Sequence, residues 1–277
     1  MKFIEYLKSI FLGIIEGITE WLPVSSTGHM ILFDELVKLN VSDAFKELFL
    51  VVIQLGAICA VPVLFFDKLN PFSGKKTKEE NRKTLLLWAK VIVGVLPAAI
   101  LGFLFDDLLD EYLYRYEVVA VALIVYGIAF ILIEKFRSNR DARILLVEDL
   151  SFKDALMIGA FQVLSLIPGT SRSGSTILGG MSLGVSREAS AEFSFFMAIP
   201  VMIGASLLKI AKFFLEGNTA SLGEISLLGV GIIVSFVVSV ISIKFLMNFV
   251  KRHSFAPFGV YRIILGAAVV LYFVFSR

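Results

Sequence analysis

Pro168-Gly-Thr-Ser-Arg-Ser-Gly-Ser-Thr176 interrupts an apolar stretch, about 152–185, that would otherwise read as one membrane helix. Pro23-Val-Ser-Ser-Thr-Gly28 interrupts another, about 3–38, in the same way. Proline ends a helix by withholding its N–H and crowding the preceding turn, and Ser or Thr start the next one by capping its free N–H groups. Each stretch therefore reads as helix, break, helix: a re-entrant hairpin that enters the membrane and returns on the same side. Outward from these, six apolar segments run unbroken, about 45–66, 84–105, 118–136, 190–214, 226–249 and 258–276. Each approaches or exceeds the roughly 20 residues needed to cross a ~30 Å hydrocarbon core. The expected fold is all-α, a single integral membrane domain over 1–277 with six transmembrane helices and two broken-helix hairpins.

Composition requires the membrane independently. Of the residues, 57% are hydrophobic and 18% charged, with mean hydropathy +0.86, against about 45–50% and 25% for soluble domains. The net charge of +2 is too small to suggest nucleic acid. The one cysteine, Cys59, excludes a disulfide framework. The two histidines, His29 and His253, lack any Cys/His ligand spacing, which argues against a zinc enzyme. Residues 1–20 carry Glu16 and Glu20 inside the apolar run and no A-x-A site follows, so a cleavable signal is not expected.

Basic residues collect in three connections: Lys68 to Lys83, Lys135 to Lys153, and Lys251-Arg252. The positive-inside rule places these in the cytoplasm, so the first hairpin enters from outside, the second from inside, and both termini lie outside. Hairpins of opposite entry suggest inverted repeats, approximately 1–136 and 150–277. Gly13-Ile-Ile-Glu16 matches Gly159-Ala-Phe-Gln162 at an offset of 146, and Pro23-Val-Ser-Ser26 matches Pro168-Gly-Thr-Ser171 at 145, as Glu47 matches Glu192. Such repeats carry their sites near the midplane, at half-helix ends.

Polar residues at membrane depth are functional candidates because they are costly there. Glu16 and Glu20, spaced i, i+4, project from one helix face. They are expected to share a proton or to hold a divalent cation, Mg²⁺ or Ca²⁺, as oxygen ligands do beside phosphates. The competing reading makes them a wetted helix end. Ser26 and His29 follow at a helix start, where the serines could merely cap and the histidine merely pack; beside two carboxylates, His29 is suited to moving protons. In the second break, a helix N-terminus with Ser171, Ser173 and Thr176 offers an anion site, and Arg172 adds a planar donor fork. Buried without an anion, Arg172 would cost several kcal/mol, so its partner is a phosphate or one of Glu16, Glu20 and Glu192. Gln54, Gln162 and Glu192 either line a cavity or satisfy neighbouring helices. Tyr261 and Arg262 are expected to snorkel or to pair structurally.

At these positions the chain resembles the undecaprenyl-diphosphatase family, known also for bacitracin resistance. Glu16-Gly-Ile-Thr-Glu-Trp-Leu-Pro-Val-Ser-Ser-Thr-Gly-His29 is similar to its first motif and Pro168 to Thr176 to its second. Lesser matches are Val52-Ile-Gln-Leu-Gly-Ala57, Gly184-Val-Ser-Arg187 and Glu192-Phe-Ser-Phe195. The resemblance implies hydrolysis of undecaprenyl diphosphate to the monophosphate carrier of cell-wall synthesis, with a divalent cation, at the outer face of the bacterial cytoplasmic membrane. It also implies roles for Glu16, Glu20, Ser26, His29, Ser171, Arg172 and Thr176. On that reading Glu16 and Glu20 bind metal or handle protons, and either Ser26 or a water attacks with His29 assisting. Ser171, Arg172, Ser173 and Thr176 hold the phosphoryl group. The polyprenyl diphosphate and the bilayer are the expected partners, and a homodimer is compatible with the sequence. The rival class is a transporter or flippase of a polyprenyl phosphate, which needs the anion clamp but not the acid–base set.

Overall fold

In the computed structural model, residues 2–26, 28–30, 33, 37–113, 115–137 and 140–275 are described, those at 106–111 by backbone alone. Nine helices of ten residues or more organise them. These are α1 (Phe3–Thr19), α2 (Asp43–Leu64), α3 (Lys78–Leu113), α4 (Tyr116–Arg137), α5 (Phe152–Val163), α6 (Arg172–Ser182), α7 (Arg187–Leu215), α8 (Leu222–Val250) and α9 (Ala256–Phe275). Six of them, α2, α3, α4, α7, α8 and α9, are long and apolar enough to cross a membrane. They coincide with the six unbroken apolar segments. The only strand-like pairing among the described residues is an isolated bridge between Ile144 and Val185.

Local chemistry sets the starts. Ser42, Ser151, Ser171, Ser186 and Ser221 each accept a backbone N–H in the first turn of the helix they precede, and Asp154 and Glu224 complete capping boxes. At about 1.5 Å per residue, α5 and α6 rise only some 16–18 Å each, about half a hydrocarbon core. Thr27 and positions 31, 32 and 34–36, which belong to the return limb expected of the first hairpin, lie outside the described residues.

Of the short helices, α6 is almost wholly buried, while α1 and α5 keep an exposed apolar side. α1 packs against α8 as α5 packs against α3, while α2 packs against α7 and α4 against α9. Lipid tails give apolar helices no reason to prefer each other, so close backbone approach must do the work. Glycine permits it where α4 meets α9: a Cβ on Gly127 would fall 2.6 Å from the Gly259 carbonyl oxygen, and one on Gly259 2.6 Å from that of Gly127. The largest core cluster includes Trp21, Phe193, Phe195, Phe196, Phe130 and Phe255. Ile92, Phe103, Leu207, Ile233 and Ile264 are exposed, as lipid-facing side chains of spans should be.

Candidate active site

The two breaks share one backbone device. Ser25 and Ser171 are the only non-glycine residues at positive φ among those described, both at 74°. Each side chain accepts the N–H three residues on: Gly28 N to Ser25 Oγ at 3.2 Å, Gly174 N to Ser171 Oγ at 3.1 Å. The structural equivalence is thus Ser25 with Ser171, 146 residues apart, whereas residue identity alone pairs Ser26 with Ser171. The 146 register is continuous with that of the preceding helices, and it sets Ser26 opposite Arg172.

Those two side chains meet through Glu20. Ser26 Oγ donates to Glu20 Oε2 at 3.2 Å. Arg172 donates to Glu20 Oε1 from Nε at 3.2 Å and from Nη2 at 3.0 Å, and from Nη1 to the Ser194 carbonyl at 2.8 Å. Of the three carboxylates open to Arg172, it is Glu20 that pairs with it, while Glu192 takes Lys68 at 2.7 Å. The Arg172 and Glu20 side chains are 11% and 10% exposed, which leaves both within reach of a ligand.

A cavity of about 690 Å³ opens in front of this chain. Glu20, Ser26, Ser171 and Arg172 line it with Gln54 and Gln162; apolar residues of α3 and α7 form its walls. It extends to Phe103 and Lys212, toward the helix ends opposite the basic loops. Gln162 is buried, with neither amide atom partnered among the described residues.

The remaining candidates stand behind the cavity. Ser173 donates to the Glu20 carbonyl at 3.0 Å, and Thr176, fully buried, has its hydroxyl 2.7 Å from Ser194 Oγ and 2.9 Å from the Arg172 carbonyl. They fasten α6 to the end of α1 and to α7. His29 turns away from Ser26. Its Nδ1 lies 2.7 Å from the Ser25 carbonyl and its Nε2 2.6 Å from the Tyr261 hydroxyl, the two rings stacked at 5.6 Å. Arg262 is fully buried on α9, bonded to carbonyls of both breaks. The cost of a charge at membrane depth, which singled out Glu16 and Glu20, could have ranked Arg262 with them; no local signal marks Tyr261 as the partner of a residue so distant in sequence.

Glu16 is 1% exposed and its Oε1 has no hydrogen-bond partner among the described residues. Among the described residues no three His, Cys, Asp or Glu side chains cluster as a metal site would. One free carboxylate oxygen beside a second carboxylate nonetheless suits a hard cation that takes one or two protein ligands and completes its shell with phosphate oxygens and water. Glu16 and Glu20 are the two carboxylates here that could offer oxygens to such a cation, though Glu16 is not among the residues lining the cavity and both Glu20 oxygens are bonded to Arg172 and Ser26.

A family model described as bacitracin resistance protein BacA matches residues 9–268. The chain is 58% identical over 276 residues to an undecaprenyl-diphosphatase of Enterococcus faecalis, covering all of both proteins. It is 56% identical to one of Acetivibrio thermocellus, covering 99% of this chain and 100% of the relative. To one of Limosilactobacillus fermentum it is 54% identical, covering 98% of each.

Proposed function

Because the chain belongs to the BacA bacitracin-resistance family, we propose that it hydrolyses undecaprenyl diphosphate to undecaprenyl phosphate and inorganic phosphate. It thereby recycles the lipid carrier of cell-wall synthesis and confers bacitracin resistance. The observation that carries this reading is the chain Ser26–Glu20–Arg172 at a cavity with apolar walls. The walls suit the polyprenyl tail, and the guanidinium suits the diphosphate.

The chemistry follows from what each group can do. Arg172 holds Glu20 in the present arrangement, and phosphate oxygens offer it the same two-point acceptor geometry. The N–H groups at the start of α6 and the Ser171 hydroxyl add donors for an anion. Glu20 Oε2 takes the Ser26 proton as Ser26 Oγ attacks the terminal phosphorus. The bridging P–O bond breaks, and undecaprenyl phosphate leaves with the bond's electrons. Water then cleaves the phosphoserine to release inorganic phosphate. Phosphoryl transfer depends chiefly on positioning and charge neutralisation, which these residues supply. Glu16 and Glu20 would hold a divalent cation, which neutralises charge on the phosphates when bound.

Topology is part of the proposal. The two broken segments are read as re-entrant hairpins of opposite entry within inverted repeats, supported by the shared positive-φ break and by the paired packing of α1 on α8 and α5 on α3. The basic loops support a cavity that opens at the outer face of the cytoplasmic membrane.

The test is phosphate release from undecaprenyl diphosphate by detergent-purified protein, where no membrane sides exist for a flippase to act on. Wild type is expected to turn over. Glu20→Gln is expected to lose about 10²–10⁴-fold, the usual contribution of a general base, and Glu16→Gln to need more metal for half-maximal rate. Wild-type rates in Glu20→Gln would remove this site from the reaction.

A further inference from the structure

One turn of α9 reaches both breaks. Arg262 donates from Nη1 to the Pro23 carbonyl at 3.2 Å, and from Nη2 to the carbonyls of Gly169 and Thr170 at 2.8 Å each. These are its hydrogen bonds among the described residues, all to main chain. Its neighbour Tyr261 takes His29. The Ser25 carbonyl can only accept, so His29 Nδ1 carries the proton there and Nε2 accepts from the Tyr261 hydroxyl. Every one of these contacts lands within two residues of a serine at positive φ, Ser25 or Ser171, except that of Tyr261, which acts through His29. A β-carbon disfavours that backbone region, and it persists only where the surroundings impose it. A guanidinium is likewise expensive in an apolar interior, and exposed carbonyls at helix breaks are what compensates it.

We propose that Tyr261 and Arg262 are the positioning pair of this site: Arg262 ties the two breaks to each other through their carbonyls, and Tyr261 sets the ring of His29, which holds the carbonyl of Ser25. Ser26 and Arg172, the residues that follow the two strained serines, are thereby aimed into one cavity. The proposal rests on the phosphatase reading above, and it assigns His29 to orientation of the first break and not to contact with the substrate.

Steady-state phosphate release by the purified full chain tests it, with thermal unfolding run on every variant. Tyr261→Phe keeps the stacked ring and loses the hydroxyl; kcat is expected to fall at least about fivefold with KM within about twofold of wild type. In the double variant with His29→Gln the loss should equal that of His29→Gln alone, since both act along one chain. Losses that multiply, or an unchanged kcat in Tyr261→Phe, overturn the step through His29. Arg262→Lys is expected to keep its unfolding midpoint, because an ammonium also satisfies carbonyls, and to lower kcat/KM at least about tenfold. On that background Arg172→Lys should cost less than it does in the wild type, because Arg172 is already misaligned. Wild-type kinetics in Arg262→Lys, or fully multiplicative losses with Arg172→Lys, overturn the tie between the breaks. Failure of the site itself looks different: Glu20→Gln and Arg172→Lys would be active while the α9 variants are impaired.

Discussion

The break at Ser25 and the break at Ser171 have the same backbone and opposite chemistry. Both put a serine at φ 74°, and both cap the next helix with that serine's oxygen. The residue that follows is a hydroxyl in one, Ser26, and a guanidinium in the other, Arg172. A carboxylate that ends the helix before the first break, Glu20, joins them, while the position 146 residues on, in the second half, is Leu166. The half-helix end is therefore a generic way to bring polar groups to membrane depth. What the protein does there is decided by three side chains that differ between the halves. On the proposed mechanism one half supplies nucleophile and base, the other the anion clamp.

The division of labour is broken most severely at the first half. Ser26→Ala is expected to lower phosphate release by more than about 10³-fold, beyond the 10²–10³ that one stabilising donor provides. Binding of the diphosphate should be nearly intact, because Arg172 and the second break remain. A residual rate within about 10³-fold of wild type would leave Ser26 only a donor. The clamp half should respond less. Arg172→Lys keeps the charge but loses the fork, and a loss of at least about tenfold, roughly 1.4 kcal/mol of barrier, is expected in kcat/KM. Near-normal kinetics would make Arg172 a point charge or a structural partner of Glu20.

How much of this was legible follows physical lines. The six spans were readable because hydrocarbon thickness sets a length that apolar runs either meet or miss. The breaks were readable because proline followed by hydroxyls is a strong local signal. Register within the break was not, since residue identity pairs Ser26 with Ser171, whereas the backbone, through φ, pairs Ser25 with it. The partner of Arg172 was one of three carboxylates, and choosing Glu20 required knowing that Lys68 satisfies Glu192. Ser173 and Thr176 look like phosphate ligands by composition, yet both hydroxyls point back into helix contacts that only the packing of α6 on α7 creates. The contact of His29 with Tyr261 links opposite ends of the chain, and no sequence period predicts it.

The smallest expected effect concerns the shared backbone. Ser25→Ala and Ser171→Ala each remove a cap and keep a β-carbon at positive φ, so each should destabilise the fold by about 1 kcal/mol. The glycine replacements relieve the φ strain and should cost only a few tenths. Thermal unfolding of the four variants compares the breaks directly. Alanine tolerated at one break and not at the other would show that the two turns are not held equally.

The account turns on one half attacking while the other holds. An isotopically chiral terminal phosphate on undecaprenyl diphosphate reports that directly. Attack by Ser26 and then by water gives two in-line displacements and net retention at phosphorus, the outcome expected here. Net inversion would mean that water attacks in a single step, and would contradict the Ser26–Glu20 assignment.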